Sequence, residues 1–77
     1  MTEEEKVIAA LRKLAVGDAP LTPATHLRDD LGLDSSKLIE LTVLVHTMYG
    51  VDLGRRSAER KILPETIGDL ASLMKTP

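Results

Sequence analysis

The residues of this chain best suited to chemistry are Asp34 and Ser35, which stand where a loop passes into a helical pattern. Gly32 gives the preceding backbone access to conformations that other residues avoid, and Asp34 is of a residue type that caps helices. Ser35 would then lie in the first turn of the helix with its hydroxyl facing water. Such a serine is either a helix-start residue or a point of covalent attachment, and the residues alone leave both interpretations open.

The other reactive side chains form no recognisable catalytic set. His26 and His46 are far apart in the sequence, with no cysteine or carboxylate at metal-ligand spacing, and we interpret both as surface histidines. Asp29, Asp30 and Asp34 lack the spacing of a calcium loop and are interpreted as a solvated acidic loop. A serine hydrolase would need a base and an oxyanion site, for which a bundle of this size offers little room. We therefore expect a protein that is not an enzyme and holds no metal.

The composition predicts one small helical domain. The 77 residues include no Cys, Phe or Trp, and Tyr49 is the single aromatic residue, so we expect an aliphatic core. Leu, Ala, Met, Glu, Lys and Arg favour helices, and aromatic strand formers are almost missing. Residues 1–77 are therefore expected to form one domain, with neither disulfides nor a thiolate metal site to support it.

Charge and hydropathy argue against two classes of partner. The formal net charge is −2 and the pI about 5.6, whereas nucleic-acid-binding proteins usually carry a basic excess. No apolar run approaches the roughly 18 residues that a membrane span needs. The acidic start of the chain is also unlike a signal peptide. We expect a cytoplasmic monomer that binds neither nucleic acid nor membrane.

Hydrophobic periodicity predicts three substantial helices, one short helix and a long first loop. The helices are expected between Thr2 and Gly17, from Ser35 to Tyr49, over residues 55–61, and from Thr66 onward. Capping-box patterns begin the first and last of them. The predicted fold class is all-α, a small antiparallel four-helix bundle.

The first loop, from Gly17 to Asp34, is long for a compact domain, and such loops are usually functional or well anchored. We expect a short helical turn near residues 28–31. The predicted anchors are the four leucines of the loop, namely Leu21, Leu27, Leu31 and Leu33.

The stretch around Ser35 resembles the signature of acyl carrier proteins. Residues 30–41 look like the D-L-G-x-D-S-x-x-x-x-E-L pattern of that family. The resemblance extends to residues 49–53, after the second helix, and to residues 66–70, at the start of the last one. It therefore covers nearly the whole chain.

The resemblance implies a four-helix carrier domain in which Ser35 receives a 4′-phosphopantetheine arm from coenzyme A. A phosphopantetheinyl transferase would attach the arm, and Asp34 matches the family's aspartate that helps this enzyme bind its metal. The thiol of the arm would hold acyl groups as thioesters for loading and processing enzymes of the ketosynthase, acyltransferase or ligase type. The fixed spacing from Gly32 and to Glu40 selects Ser35 over Ser36 as the attachment point.

The second helix departs from the pattern of fatty-acid carriers. Ser36 stands where family members usually have Leu, Lys37 stands where an acid is common, and Glu40 is the only acid of the helix. Ile39 and Val43 widen its apolar stripe, which predicts either packing on several sides or an exposed apolar edge.

The predicted partner surface joins the second helix to the basic start of the third. Its members are Ser36, Lys37, Glu40, Val43, Arg55 and Arg56. The basic cluster, which also includes Arg60 and Lys61, is interpreted first as a solvated face and otherwise as a site for an acidic partner. These departures favour a discrete carrier of polyketide-type or related specialised biosynthesis.

Three other interpretations stay open. A peptidyl or aminoacyl carrier of nonribosomal-peptide type shares the fold and the serine, although Asp30 and Asp34 favour an acyl carrier. A small helical DNA-binding domain would use residues 55–61, against which stand the acidic pI and the lack of a second basic element. A pure interaction bundle would differ only in lacking the modification.

Overall fold

Four α-helices make up the regular secondary structure of the part of the chain that the structure describes. The computed structural model describes residues 1–14, 16–17 and 20–75. Within these residues the helices are α1 (Glu3–Lys13), α2 (Ser35–Tyr49), α3 (Leu53–Arg60) and α4 (Ile67–Met74). α1 packs against α2 and α4, and α3 contacts both α2 and α4. The predicted all-α small bundle is confirmed.

The core is aliphatic, as the composition predicts. The largest fully buried side chains are Val7, Leu11, Leu27, Leu41, Val45, Ile67 and Leu73. They come from α1, the first loop, α2 and α4. In α3, which the structure describes in full, Leu53 is the one buried residue. α3 is therefore the helix that hydrophobic burial stabilises least.

The predicted helix caps are confirmed. Thr2 and Glu5 exchange hydrogen bonds in a capping box at the start of α1. Thr66 and Asp69 form the same arrangement at the start of α4. Gly50 ends α2 with a left-handed φ of 70°, a conformation that glycine adopts at little cost. Local side-chain chemistry therefore sets these boundaries.

α1 is shorter than predicted. It ends at Lys13 instead of continuing to Gly17, and Leu14 caps it with a tightened last turn. The physical reason is tertiary, because Val16 leaves the helix and packs against the core. Ala15, predicted for the inner face of the helix, lies outside the described residues.

α3 begins earlier than the predicted residue 55. The Asp52 carboxylate accepts the N–H of Arg55 at 3.0 Å and so caps a helix that starts at Leu53. Sequence periodicity missed this start because the first turn contains Gly54, which weakens a helical pattern.

A short antiparallel bridge ties the first loop to the start of α4. The N–H of Leu27 donates to the carbonyl of Glu65 at 2.9 Å, and the N–H of Ile67 donates to the carbonyl of Thr25 at 3.1 Å. Leu27 and Ile67 are both fully buried. The bridge therefore inserts one core side chain from each of the two segments that it joins.

Two residues in the first turn of α4 hold neighbouring segments, Gly68 the first loop and Asp69 the residues just before the helix. The N–H of Gly68 donates to the carbonyl of Pro23 at 2.9 Å, and a Cβ at Gly68 would lie 3.0 Å from that oxygen. The Asp69 carboxylate accepts the N–H of Glu65 at 2.9 Å and that of Thr66 at 3.1 Å. These backbone bonds, that of Glu65 first, hold the pKa of Asp69 below its ordinary value against the opposing effect of burial.

The loop is anchored as predicted. Leu27 and Leu33 are buried, and Leu21 and Leu31 are half-buried against the core. The expected helical turn is confirmed by the N–H of Gly32, which donates to the carbonyl of Arg28 at 2.9 Å. Residues 20–34 of the loop are therefore packed against the rest of the fold and lead directly into α2.

Asp69→Ala is expected to lower the free energy of unfolding by about 1 kcal/mol, as loss of a helix-start hydrogen bond typically does. Because the pKa of Asp69 is lowered in the folded state, its contribution is present above the ordinary value and is lost as the pH falls through the folded value. Asp69→Asn should therefore flatten the acid dependence of stability below about pH 4. Urea denaturation across the acid range measures both effects.

Glu5 provides the matched control, because it holds the corresponding position in the α1 capping box. Its pKa is also lowered, first by the backbone hydrogen bond with Thr2. Glu5→Ala removes a cap without touching the loop, so we expect a smaller loss of stability than for Asp69→Ala. An equal loss in the two variants would contradict the role of Asp69 in holding the bridge.

Candidate functional site

Ser35 is the first residue of α2 and is exposed to solvent. The chain reaches it through Gly32, at a φ of 66°, and through Leu33, which is buried. Asp34 is extended and caps the helix, its carboxylate accepting the N–H of Lys37 at 2.9 Å. A buried leucine on one side and a capped helix on the other therefore hold the Ser35 hydroxyl on a rigid support.

The start of α2 suits an anion. Its first turn carries no acidic residue and includes Lys37, in a helix that the structure describes in full. The first turn of α1, by contrast, carries three glutamates. The N-terminal end of a helix favours negative charge, and the Asp34 carboxylate already uses the N–H of Lys37 there, so a phosphodiester at this position would gain from the helix end and be repelled by Asp34.

The rest of the predicted partner surface on α2 faces solvent. Ser36, Lys37, Glu40 and Val43 are all exposed. The Lys37 ammonium lies 3.4 Å from the Glu40 carboxylate, an exposed pair that contributes little stability. Ile39 is 64% exposed and Val43 is 59% exposed. The wide apolar stripe of α2 therefore includes an exposed edge.

The basic cluster of α3 divides into two kinds of residue. The side chain of Arg55 is 76% exposed and pairs with Glu59 at 3.6 Å along the same helix. Arg56 is half-buried, and its Nη1 donates to the carbonyls of Leu73 and Met74 at 2.9 Å each. Of the two arginines predicted for the partner surface, only Arg55 extends into solvent.

Arg60 acts on α4 in the same way as Arg56. Its Nη1 donates to the carbonyl of Ser72 at 3.0 Å, and its Nη2 donates to the carbonyl of Lys75 at 2.9 Å. The interpretation of the cluster as a solvated face is therefore wrong for Arg56 and Arg60. One feature of the sequence could have indicated this role of the arginines: α4 has no basic residue in its own last turn. Its C-terminal carbonyls must therefore find donors elsewhere.

The two histidines and Asp30 are not part of the capped helix start at Ser35. His26 and His46 are exposed, and the backbone N–H of His26 donates to the Asp30 carboxylate at 2.7 Å. Among the described residues, no group of three or more His, Asp or Glu is arranged to hold a metal ion. Within the same residues, no helix has the length and apolar character needed to cross a bilayer.

A cavity of about 540 Å³ opens between α2, α3 and the first loop. Its apolar lining comes from Leu38, Leu41, Leu53, Leu63 and Leu70. Its charged or titratable lining comes from His26, Arg28, Asp29 and Glu65. Leu38, which lines the cavity, lies one helical turn after Ser35, although Ser35 does not itself line it. Its size is in the range of ordinary small-molecule sites.

Comparison with known protein families agrees with this geometry. The chain matches the family described as phosphopantetheine attachment site over residues 6–61. The matched segment contains most of α1, the first loop, and all of α2 and α3. The chain therefore belongs to this family of phosphopantetheine-carrying carrier domains. No solved structure matches the chain.

Family membership defines the class of protein. The domain carries 4′-phosphopantetheine covalently on a serine. When bound, this group supplies a thiol that holds cargo as a thioester. Such domains are generally not catalytic themselves and work with a phosphopantetheinyl transferase and with synthase enzymes.

The described residues offer three serines within the matched segment. Ser57 is half-buried, and its hydroxyl donates to the carbonyl of Ile62. Ser35 and Ser36 are exposed at the start of α2. The structure therefore brings the predicted Asp34 and Ser35 together at one exposed helix start, with Ser36 as the neighbouring hydroxyl.

Asp34→Ala is expected to lower the free energy of unfolding by about 1 kcal/mol, because it removes the N-cap of α2. Asn caps helices about as well as Asp, so Asp34→Asn should unfold at nearly the wild-type urea concentration. Urea denaturation of the two variants at neutral pH makes the comparison. If Asp34→Asn were as unstable as Asp34→Ala, the charge of Asp34 rather than its hydrogen bond to Lys37 would support the helix.

Proposed function

We propose that Ser35 carries the 4′-phosphopantetheine and that the protein is an acyl carrier of polyketide-type or related specialised biosynthesis. The observation that carries the first part is the position of Ser35, exposed and directly after the capping Asp34 on a rigid helix start. Family membership supports attachment to a serine, and Ser35 is one of the three serines in the matched segment. Tethering the cargo here raises its effective concentration at each enzyme in turn.

Asp34 has a second role in this proposal, as a recognition residue for the phosphopantetheinyl transferase. Its carboxylate is exposed although one oxygen accepts the N–H of Lys37, so the other oxygen is accessible to the enzyme. The resemblance to acyl carrier proteins supports a contact with the metal of the transferase. Asp34 would therefore serve both the fold and the modification.

The proposed partner surface consists of Ser36, Lys37, Glu40, Val43, Arg55 and Arg56. At each end of the surface a positive charge is paired with a negative one, Lys37 with Glu40 and Arg55 with Glu59. Arg56 stands at its margin, with its guanidinium held by α4. Ile39 and Val43 add exposed apolar area between these ends. Such a surface favours synthase partners of the ketosynthase, acyltransferase or ligase type that bind through apolar contact more than through electrostatic steering.

The cavity beside Ser35 supports an acyl cargo over a strongly polar one. Leucines contribute to its lining, among them the buried Leu41, Leu53 and Leu70 and the exposed Leu63, and charged or titratable side chains contribute as well. A short aliphatic chain would be buried among the leucines, and a more oxygenated cargo would reach the polar groups. We propose that the cavity receives the first carbon atoms of the thioester-bound cargo.

The DNA-binding alternative loses its main support. Arg56 and Arg60, which would have supplied phosphate contacts, donate hydrogen bonds to carbonyls of α4. A peptidyl or aminoacyl carrier remains the alternative within the carrier class. Loading the arm from amino-acid and acyl donors side by side separates the two, because the preferred donor class identifies the carrier type.

Ser35→Ala is expected to abolish the mass gain that follows incubation with coenzyme A and a phosphopantetheinyl transferase. Ser36→Ala is the matched control, because it removes the neighbouring exposed hydroxyl and should keep the gain. Intact-protein mass spectrometry makes the measurement. A gain retained in Ser35→Ala and lost in Ser36→Ala would assign the arm to Ser36.

Asp34→Asn, which keeps the cap, should slow the reaction at unchanged stability if Asp34 contacts the enzyme.

Gly54→Leu is expected to reduce burial of an octanoyl cargo. A Cβ at Gly54 would lie 3.6 Å from Asp52 Oδ1 and 4.0 Å from Thr42 Cγ2, both ordinary contact distances, and a leucine at this lining position would narrow the cavity. In the wild-type protein, octanoyl loading should shift the amide NMR signals of Leu41 and Leu53 more than acetyl loading does. Gly54→Leu should remove that difference, whereas Ala58→Leu, at an exposed position of α3, should retain it.

Equal octanoyl shifts in Gly54→Leu and in the wild-type protein would contradict burial of the cargo in this cavity. If the octanoyl shifts were equal in the two proteins and confined to residues around Ser35, the cargo would stay in solvent.

A further inference from the structure

α3 is attached to the bundle by two different kinds of contact. Its first residue, Leu53, is 3% exposed and enters the core. Every later residue of the helix is exposed or only half-buried. Hydrophobic burial therefore stabilises the N-terminal end of α3 and leaves the C-terminal half to other interactions.

The C-terminal half is held by Arg56 and Arg60. Together they donate hydrogen bonds of 2.9 to 3.0 Å to the carbonyls of residues 72–75, at the end of α4. Among the described residues, these are the side-chain hydrogen bonds that join α3 to another helix. Carbonyls at a helix C-terminus lack partners within their own helix and carry partial negative charge, so cationic donors bind them well.

The same helix forms one wall of the cavity beside Ser35. Leu53, Gly54 and Ser57 line it from α3, opposite Leu38 and Leu41 of α2. Movement of α3 away from α2 would therefore widen the cavity. The hydrogen bonds of Arg56 and Arg60 attach α3 to the end of α4. A movement of α3 away from α2 would stretch or break them.

The chain leaves α3 at both ends through short turns. Gly50 precedes it with a φ of 70°, and Lys61 follows it with a φ of 55°. Neither turn continues the helix into a neighbour, so a rotation of α3 about its buried N-terminal residue would leave the hydrogen bonds within α2 and α4 in place. The arginine contacts are the interactions that such a rotation would break.

We propose that Arg56 and Arg60 form a latch that holds α3 as a lid over the cavity, and that release of the latch opens the cavity while the other three helices stay folded. The latch is made of side chains that need no cargo, metal or partner to form. It does not depend on which serine carries the arm, so its test is separate from that of the proposed function.

The test is amide hydrogen exchange in Arg56→Gln/Arg60→Gln. The matched control is Arg55→Gln/Lys61→Gln, which removes the same charge from two exposed positions at the same helix. We expect amides of residues 57–60 to exchange about tenfold faster in the latch variant, because charge-assisted hydrogen bonds are lost. Amides in the middle of α1, α2 and α4 should change less than about twofold, and the control should resemble the wild type.

Binding of an apolar dye gives a second readout. The latch variant should bind more 8-anilinonaphthalene-1-sulfonate than the control, since an open lid exposes the leucines of the cavity. Faster exchange spread evenly over all four helices would overturn the proposal, because the arginines would then stabilise the whole fold. Equal exchange in the latch variant and in the control would overturn it as well. If the double variant does not fold, the single variant Arg60→Gln is compared with Arg55→Gln. The proposal then requires faster amide exchange over residues 57–60 in Arg60→Gln and little change in the other three helices.

Discussion

Two backbone hydrogen bonds tie the first loop to the start of α4, and the position of Ser35 depends on them. They join the carbonyls of Glu65 and Thr25 to the N–H groups of Leu27 and Ile67, whose side chains are fully buried. The loop that carries Leu27 into the core is the loop that ends at Ser35. The described part of this connection, residues 20–34, is thereby tied to the core, because its backbone bonds to the start of α4 and its leucines are buried or half-buried.

The two halves of the cavity wall are stabilised in different ways, and this difference suits a carrier. α2 is capped at both ends and places Leu41 and Val45 in the core, so the element that bears Ser35 is firmly fixed. α3 has one buried residue and is otherwise held by hydrogen bonds to the end of α4. A carrier must present its attachment point reproducibly and still admit and release cargo. With Ser35 as the proposed attachment point and the cavity as the proposed cargo site, a capped α2 beside a lightly held α3 meets both requirements.

The elements that were predicted correctly are those with local causes. Asp34 caps α2 and Gly50 ends it because their own backbone and side-chain chemistry fits those positions. The errors arise where distant residues decide the outcome. α1 stops at Lys13 because Val16 packs against the core, although the apolar period continues past that point. The prediction of a solvated face is also wrong for Arg56 and Arg60. Both side chains bind backbone carbonyl groups, which every residue possesses and no sequence pattern marks.

The sequence by itself determined the helical class, the aliphatic core, the boundaries of α2 and the pairing of Asp34 with Ser35 at its start. Each of these follows from residue types a few positions apart, where periodicity and capping act. Only the tertiary structure decided the bridge between the loop and α4, the cavity beside Ser35 and the attachment of α3 through two arginines. These features join residues that are distant along the chain, and such contacts form only when the whole core is packed.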